Sequence, residues 1–159
     1  MSARKVMATV FWDKKGVILV DFLERGTTIN SERYCQTLNN LRRAIQNKRR
    51  GKLSSKILLI HDNAQPHMAN RTREVLESFP WELFPHPPYS PDLAPSDYHL
   101  FPTMKKWLAT QRFDDDAELQ QEVTNWLKTQ AADFYEEGIV KLIHRYDKCL
   151  NLNGDYVEK

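Results

Sequence analysis

The segment Lys56 to His61 reads KILLIH. Four large apolar side chains in a row leave no polar face for solvent. A run this short is not a helix, so it is expected to be a strand covered on both sides. Such a strand needs helices over both faces of its sheet, which points to an α/β fold. It ends in His61-Asp62-Asn63, where the chain turns polar.

The other elements fit around that strand. Val6 to Trp12 and Val17 to Leu23 are β-branched and aromatic runs flanking Asp13-Lys-Lys-Gly16, a β-hairpin pattern. Asn30-Ser31-Glu32 is a helix start, and Tyr34, Leu38, Leu41 and Ile45 follow at one-face spacing. Gly51 is the expected stop. Pro66 opens a second helix running to about Ser78, and Trp81 to Phe84 is a short strand. Pro85 to Pro95 holds five of the eight prolines and must be a stiff extended loop. Ser96 then caps a helix whose first residue is Asp97. Pro102 either kinks that helix or starts it anew. Helical spacing continues through Asp116–Gln130 and Phe134–Leu150, with Ile139, Leu142, Ile143 and Tyr146 as anchors of the latter.

The order β-β-α-β-α-β-α-α-α predicts an α/β fold, a mixed sheet flanked by helices. A sheet that begins on a hairpin is expected to lack its first strand. With 159 residues and no internal repeat, residues 1–159 read as a single domain.

Composition narrows the function classes. Hydrophobic residues at 41% and charged residues at 28% describe a globular chain. A net charge of +2 is too small for a basic protein overall, so any nucleic-acid footprint must be local. The local cluster is Arg42, Arg43, Lys48, Arg49, Arg50, Lys52 and Lys56, which suits phosphates and equally suits a solvated helix end. Two distant cysteines, Cys35 and Cys149, make no disulfide framework, which fits a reduced, intracellular setting. The start has no apolar secretory stretch, and no run reaches the roughly 20 apolar residues that span a bilayer.

Two carboxylates are candidates for chemistry. Asp62 follows the buried strand, where α/β sheets place their ligands. Asp97 opens a helix after the rigid loop. Each alone also fits a structural part, Asp62 as a turn acceptor and Asp97 as an acid in a helix's first turn. As a pair separated by 34 residues they can converge if that helix packs beside that strand. Carboxylate oxygens suit Mg²⁺ or Mn²⁺, and two such ions support in-line phosphoryl displacement. His61, His67, His86 and His99 share the stretch, but without a His-x₃-His or Cys pair they do not favour zinc. Trp107 and Trp126 read as core rather than base-stacking platforms.

His61-Asp-Asn-Ala-Gln-Pro-His67 and Tyr89-Ser-Pro-Asp-Leu-Ala-Pro-Ser-Asp-Tyr-His-Leu-Phe101 resemble the two hallmark motifs of mariner transposases. The 34-residue interval resembles that family's spacing between its second and third catalytic aspartates. The likeness extends through Val6–Trp12, Asn30–Leu38 and Lys148–Tyr156, nearly the whole chain. It implies an RNase H-like, retroviral-integrase-like catalytic core. There the second catalytic acid ends a central strand, matching Asp62, and the third opens a helix, matching Asp97. It further implies two Mg²⁺ or Mn²⁺ ions held by Asp62 and Asp97, and cut-and-paste cleavage and strand transfer of DNA. The implied partners are DNA (transposon ends and target) and a homodimer, in the nucleus, with no membrane and no small-molecule substrate. The same domain occurs fused to a histone methyltransferase in SETMAR-type proteins, and nothing here resembles that methyltransferase.

The chain departs from the family pattern at its start. The first catalytic Asp of the family lies upstream of the hairpin, and neither Asp13 nor Asp21 matches it. The N-terminal DNA-reading domains have no counterpart either. The expectation is a truncated catalytic domain, inactive alone, or else a nonspecific DNA-binding or interaction module without catalysis.

Overall fold

The computed structural model describes residues 7–23, 30–49, 57–60, 70–79, 81–83 and 94–151. Its contacts divide the chain into two compact units, Met1–Phe11 with Val17–Phe84, and Trp12–Gly16 with Pro85–Lys159.

Strands β1 (Ala8–Asp13) and β2 (Gly16–Phe22) form a hairpin whose tip, Trp12–Gly16, counts with the second unit and whose remainder counts with the first. Only Lys14 and Lys15 join them, so the pair is antiparallel. The turn is tighter than the four residues expected from sequence because Asp13 and Gly16 both belong to strands. Asp13 Oδ1 accepts the Lys15 N–H at 2.9 Å, and Gly16 takes φ +133°, a backbone angle open to glycine and strained for other residues. At the open end Leu23 N–H donates to the Met7 carbonyl at 2.9 Å.

Helix α1 spans Ser31–Lys48. Asn30 stays extended and its Oδ1 accepts the Arg33 N–H at 2.8 Å, which satisfies a helix-start donor. Tyr34, Leu38, Leu41 and Ile45 are buried, the face expected from their spacing. The helix closes on Arg49, whose N–H reaches the Ile45 carbonyl; Gly51, the expected stop, lies outside the described residues.

Strand β3 (Ile57–Leu59) is the core of KILLIH, and helix α2 (Asn70–Glu77) leads to β4 (Trp81–Leu83). β3 and β4 run parallel, with Ile57 opposite Trp81, Leu58 opposite Glu82 and Leu59 opposite Leu83. A parallel pair requires a crossover, and α2 supplies it. The start expected at Pro66 is outside the described residues. Ile18, Tyr34, Leu38, Leu41, Ile45, Leu59, Leu76 and Phe79 form one core cluster, so hairpin, α1, β3 and α2 share it.

In the second unit a π-helical turn (Ser96–Leu100) runs into α3 (Phe101–Leu108). Then come α4 (Asp116–Thr129) and α5 (Ala132–Asn151). Asp115 caps α4 by accepting the Glu118 N–H at 2.8 Å. Val123, Leu127, Tyr135 and Leu142 are buried. Trp107 and Trp126 stack on each other at 5.6 Å between ring centres, and both are half-buried. Ile143, expected as an anchor of α5, is 57% exposed. The inward stripe runs through Tyr135, Gly138 and Leu142 instead, and Ile143 lies one residue, about 100°, round the helix from it.

An antiparallel pair, a parallel pair and five α-helices among the described residues place the chain in the expected α/β class. No described helix is long and apolar enough to cross a membrane.

Candidate metal centre

Asp97 lies second in the π-helical turn Ser96–Leu100 and is exposed. The turn begins one residue earlier than sequence spacing suggests. Pro95 sits at its start, and the Asp97 and Tyr98 N–H groups bond the Ala94 carbonyl at 2.8 and 3.2 Å. Ser96 is therefore not the cap: it lies inside the turn, and its Oγ accepts the Trp12 indole N–H at 3.0 Å. The Phe101 N–H reaches back to the Ser96 carbonyl, one residue further than in an α-helix. This wide turn resolves the proline problem. Pro102 falls at the head of α3, where a missing N–H costs least, instead of inside a continuous helix.

The side chains around Asp97 are tied inward. Tyr98 Oη donates to the Gly138 carbonyl at 2.6 Å. His99 Nε2 lies 2.5 Å from the Phe134 carbonyl. A carbonyl only accepts, so Nε2 carries the proton in this pair. The His99 ring stacks on Phe134 at 4.5 Å and on Trp12 at 6.4 Å between centres. The Arg145 guanidinium sits 4.2 Å over the Tyr98 ring. Burial pushes the Tyr98 hydroxyl up to about 12 while the Arg145 charge opposes that shift, so the hydroxyl is a donor at neutral pH. Leu100 is fully buried and His99 nearly so.

Gly138 has a specific reason to be glycine. A Cβ there would lie 2.6 Å from His99 Cδ2 and 2.9 Å from the Trp12 ring. Trp12, Tyr98, His99 and Gly138 were not singled out for this role from sequence. Only the unbroken run Ser96–Asp97–Tyr98–His99, polar throughout at a helix head, hints at it.

Asp62, the other candidate carboxylate, lies outside the described residues, as do His61, His67 and His86. Among the described residues, no group of three or more His, Cys, Asp or Glu side chains is arranged to hold a metal ion. The donor chemistry present is that of Asp97, an exposed carboxylate on a fixed turn, which fits a hard divalent ion.

The remaining acids near the hairpin have structural roles. Asp21 accepts Arg33 Nη1 and Nη2 at 2.9 and 3.0 Å and the Thr37 hydroxyl at 2.6 Å. Burial alone would raise its pKa. The hydrogen bonds from Arg33 and Thr37, with the Arg33 charge, outweigh that and hold the carboxyl below its usual range. Of the basic cluster, Lys48 Nζ is drawn back to the Ile18 carbonyl at 2.9 Å. Arg42 and Arg43 stand exposed on α1, Arg42 with its guanidinium 5.3 Å from the Phe79 ring centre.

The family model "Transposase (partial DDE domain)" matches residues 1–55. The mariner Mos1 transposase of Drosophila mauritiana is 45% identical over 157 residues, 98% of this chain and 46% of that protein. The histone-lysine N-methyltransferase SETMAR of Homo sapiens is 38% identical over 156 residues, 98% of this chain and 23% of that protein. The chain thus spans about half the length of the first curated relative and about a quarter of the second. The Mos1 catalytic domain, solved with raltegravir and Mn, matches with a TM-score of 0.90 at 44% identity, over 98% of this chain and 78% of that one. The Mos1 paired-end complex with Mn matches equally closely, over 46% of its chain. A likeness this close over nearly every residue carries more than the fold: the chain belongs to the mariner transposases, as part of their RNase H-like catalytic domain.

Proposed function

We propose that Asp62 and Asp97 supply two of the acidic ligands of a two-metal site that cuts and joins DNA. The single observation carrying this is the Asp97 carboxylate. It is the exposed member of the turn Ser96–Leu100, at the position that matches a catalytic acid of the family. Solved Mos1 catalytic domains carry Mn or Mg, which supports the same ions here. When bound, such ions offset charge on the attacking and leaving oxygens of a phosphodiester.

The part played by this chain's own residues is placement and charge. The turn holds Asp97 outward while its neighbours are locked inward. Asp62 and Asp97 carry two negative charges against the four of two dications, so further carboxylate is needed. Asp21 does not provide it, because Arg33 and Thr37 occupy its oxygens. Two carboxylates alone are therefore expected to hold Mg²⁺ weakly. The partner is DNA, transposon ends and target, which the paired-end and left-transposon-end complexes of Mos1 support; action by paired copies in the nucleus belongs to the same proposal.

The test is metal titration and strand cutting on a transposon-end duplex, with Asp62→Ala and Asp97→Ala alongside. Metal binding should fall in both variants. Metal-dependent cutting by the unaltered polypeptide, lost in both variants, would show that both carboxylates belong to the cutting site. Unchanged metal binding in both would remove them from the site.

A second reading rests on α1. Gln36, Asn39, Asn40, Arg42, Arg43 and Gln46 line one hollow on its outer side, and none is acidic. This polar and cationic face suits the phosphate backbone without base readout.

A further inference from the structure

We propose that Tyr98 and His99 are positioning residues for the Asp97 carboxylate, gripping α5 so that the turn has one orientation. This rests on the assignment of Asp97 as a metal ligand. The two residues directly after Asp97 each use their side-chain donor on a backbone carbonyl of the same helix. Tyr98 takes Gly138 and His99 takes Phe134. Those carbonyls are four residues apart, so they lie on one face of α5, one turn and roughly 6 Å from each other. Two attachments along one line still leave a rotation about that line. The third comes from Ser96, the residue directly before Asp97, which accepts the Trp12 indole N–H from the hairpin at 3.0 Å.

Three tethers to two different elements therefore bracket Asp97 on both sides in sequence. The packing agrees. Gly138 brings α5 so close that a single added carbon would strike His99 and Trp12. Phe134 contributes both its carbonyl and its ring, stacked on His99. The wide π-helical turn matters to this arrangement, because it lets Ser96, Tyr98 and His99 all reach inward while Asp97 points out. A site of this kind needs its ligands held to within about 0.5 Å. Removing residues that orient a metal ligand typically weakens the metal by roughly 10–100-fold.

The test uses Mn²⁺ alone as the probe on the whole chain, read as paramagnetic broadening of the amide resonances of residues 96–100. Tyr98→Phe, which deletes one hydroxyl and keeps the ring, and His99→Ala should raise the apparent Mn²⁺ Kd by roughly tenfold. His99→Gln, which keeps an N–H donor, should recover much of that. Leu38→Ala, a core change in the other unit, should lower Tm without moving the Kd, separating positioning from general stability. If Asp97→Asn abolishes the broadening but Tyr98→Phe and His99→Ala leave the Kd unchanged, the grip on α5 does not position the carboxylate. If Asp97→Asn leaves the broadening intact, the ligand assignment itself fails, and the proposal with it. Should His99→Ala not fold, Tyr98→Phe decides.

Discussion

Arg33 meets Asp21 end-on, two nitrogens against two oxygens at 2.9 and 3.0 Å, and so ties α1 to β2. With the Thr37 hydroxyl on the same carboxylate, the group is a charge-assisted junction in a partly buried place. Its folded pKa lies below the unfolded value. The stability it contributes is present above the unfolded carboxylate range, near 3.8–3.9, and is lost as pH falls through the folded pKa. Asp21→Asn should cost about 1–3 kcal/mol at pH 7. Melting curves from pH 3 to pH 7 should show the variant less sensitive to acid than the parent, and parallel acid profiles would remove the junction as the cause.

Gly138→Ala is expected to be among the most damaging single-methyl changes in the chain. Helix propensity alone favours alanine by about 1 kcal/mol. Against that, the new carbon falls 2.6 Å from the His99 ring, and both His99 and Trp12 are held by hydrogen bonds that resist retreat. Overpacking of this kind costs roughly 1–3 kcal/mol. A chemical-denaturation midpoint should fall; a rise would mean that the ring moves aside freely.

Tyr135 is almost completely buried and donates to the Leu127 carbonyl, linking α5 to the end of α4. Burial pushes its pKa up to about 12. Its contribution is complete below the ordinary tyrosine value of 10 and fades as pH climbs from there to about 12. Tyr135→Phe should cost about 1–2 kcal/mol at neutral pH and flatten the alkaline limb of a Tm-against-pH plot. An alkaline limb equal to the parent's would assign it to other groups.

If α1 presents its outer side to DNA, the salt dependence of binding is the sensitive measure. Replacing Arg42 and Arg43 together with Gln should lower the slope of log K against log salt by about 0.9 for each lost phosphate contact. Asp97→Asn should leave that slope untouched. Equal slopes for parent and double variant would make this a solvated face.

The fold was largely readable because its signals are local. The Tyr34–Leu38–Leu41–Ile45 spacing and the Asn30 cap act within a turn of helix, and the apolar run of KILLIH marks a strand whose Leu59 is buried. Ile143 misled because one residue of rotation separates a buried face from an exposed one. Ser96 misled for a different reason. Its hydroxyl suits a cap, but Trp12, distant in sequence, claims it. The tethers around Asp97 are likewise long-range, Tyr98 to Gly138 and His99 to Phe134, and no periodicity announces them. The family motifs pointed to Asp62 and Asp97 where composition did not.

The one-residue bulge at Ser96–Leu100 sets limits on chain length rather than on residue type. Excising any one of those five positions would restore an ordinary α-helical ladder, a locally more regular backbone. It would also swing every preceding side chain about 100° relative to α3. Substitutions here are graded in their effects, but a shortened segment would carry its carboxylate to a different compass bearing altogether. Related chains should therefore vary in wording across this stretch far more readily than in count.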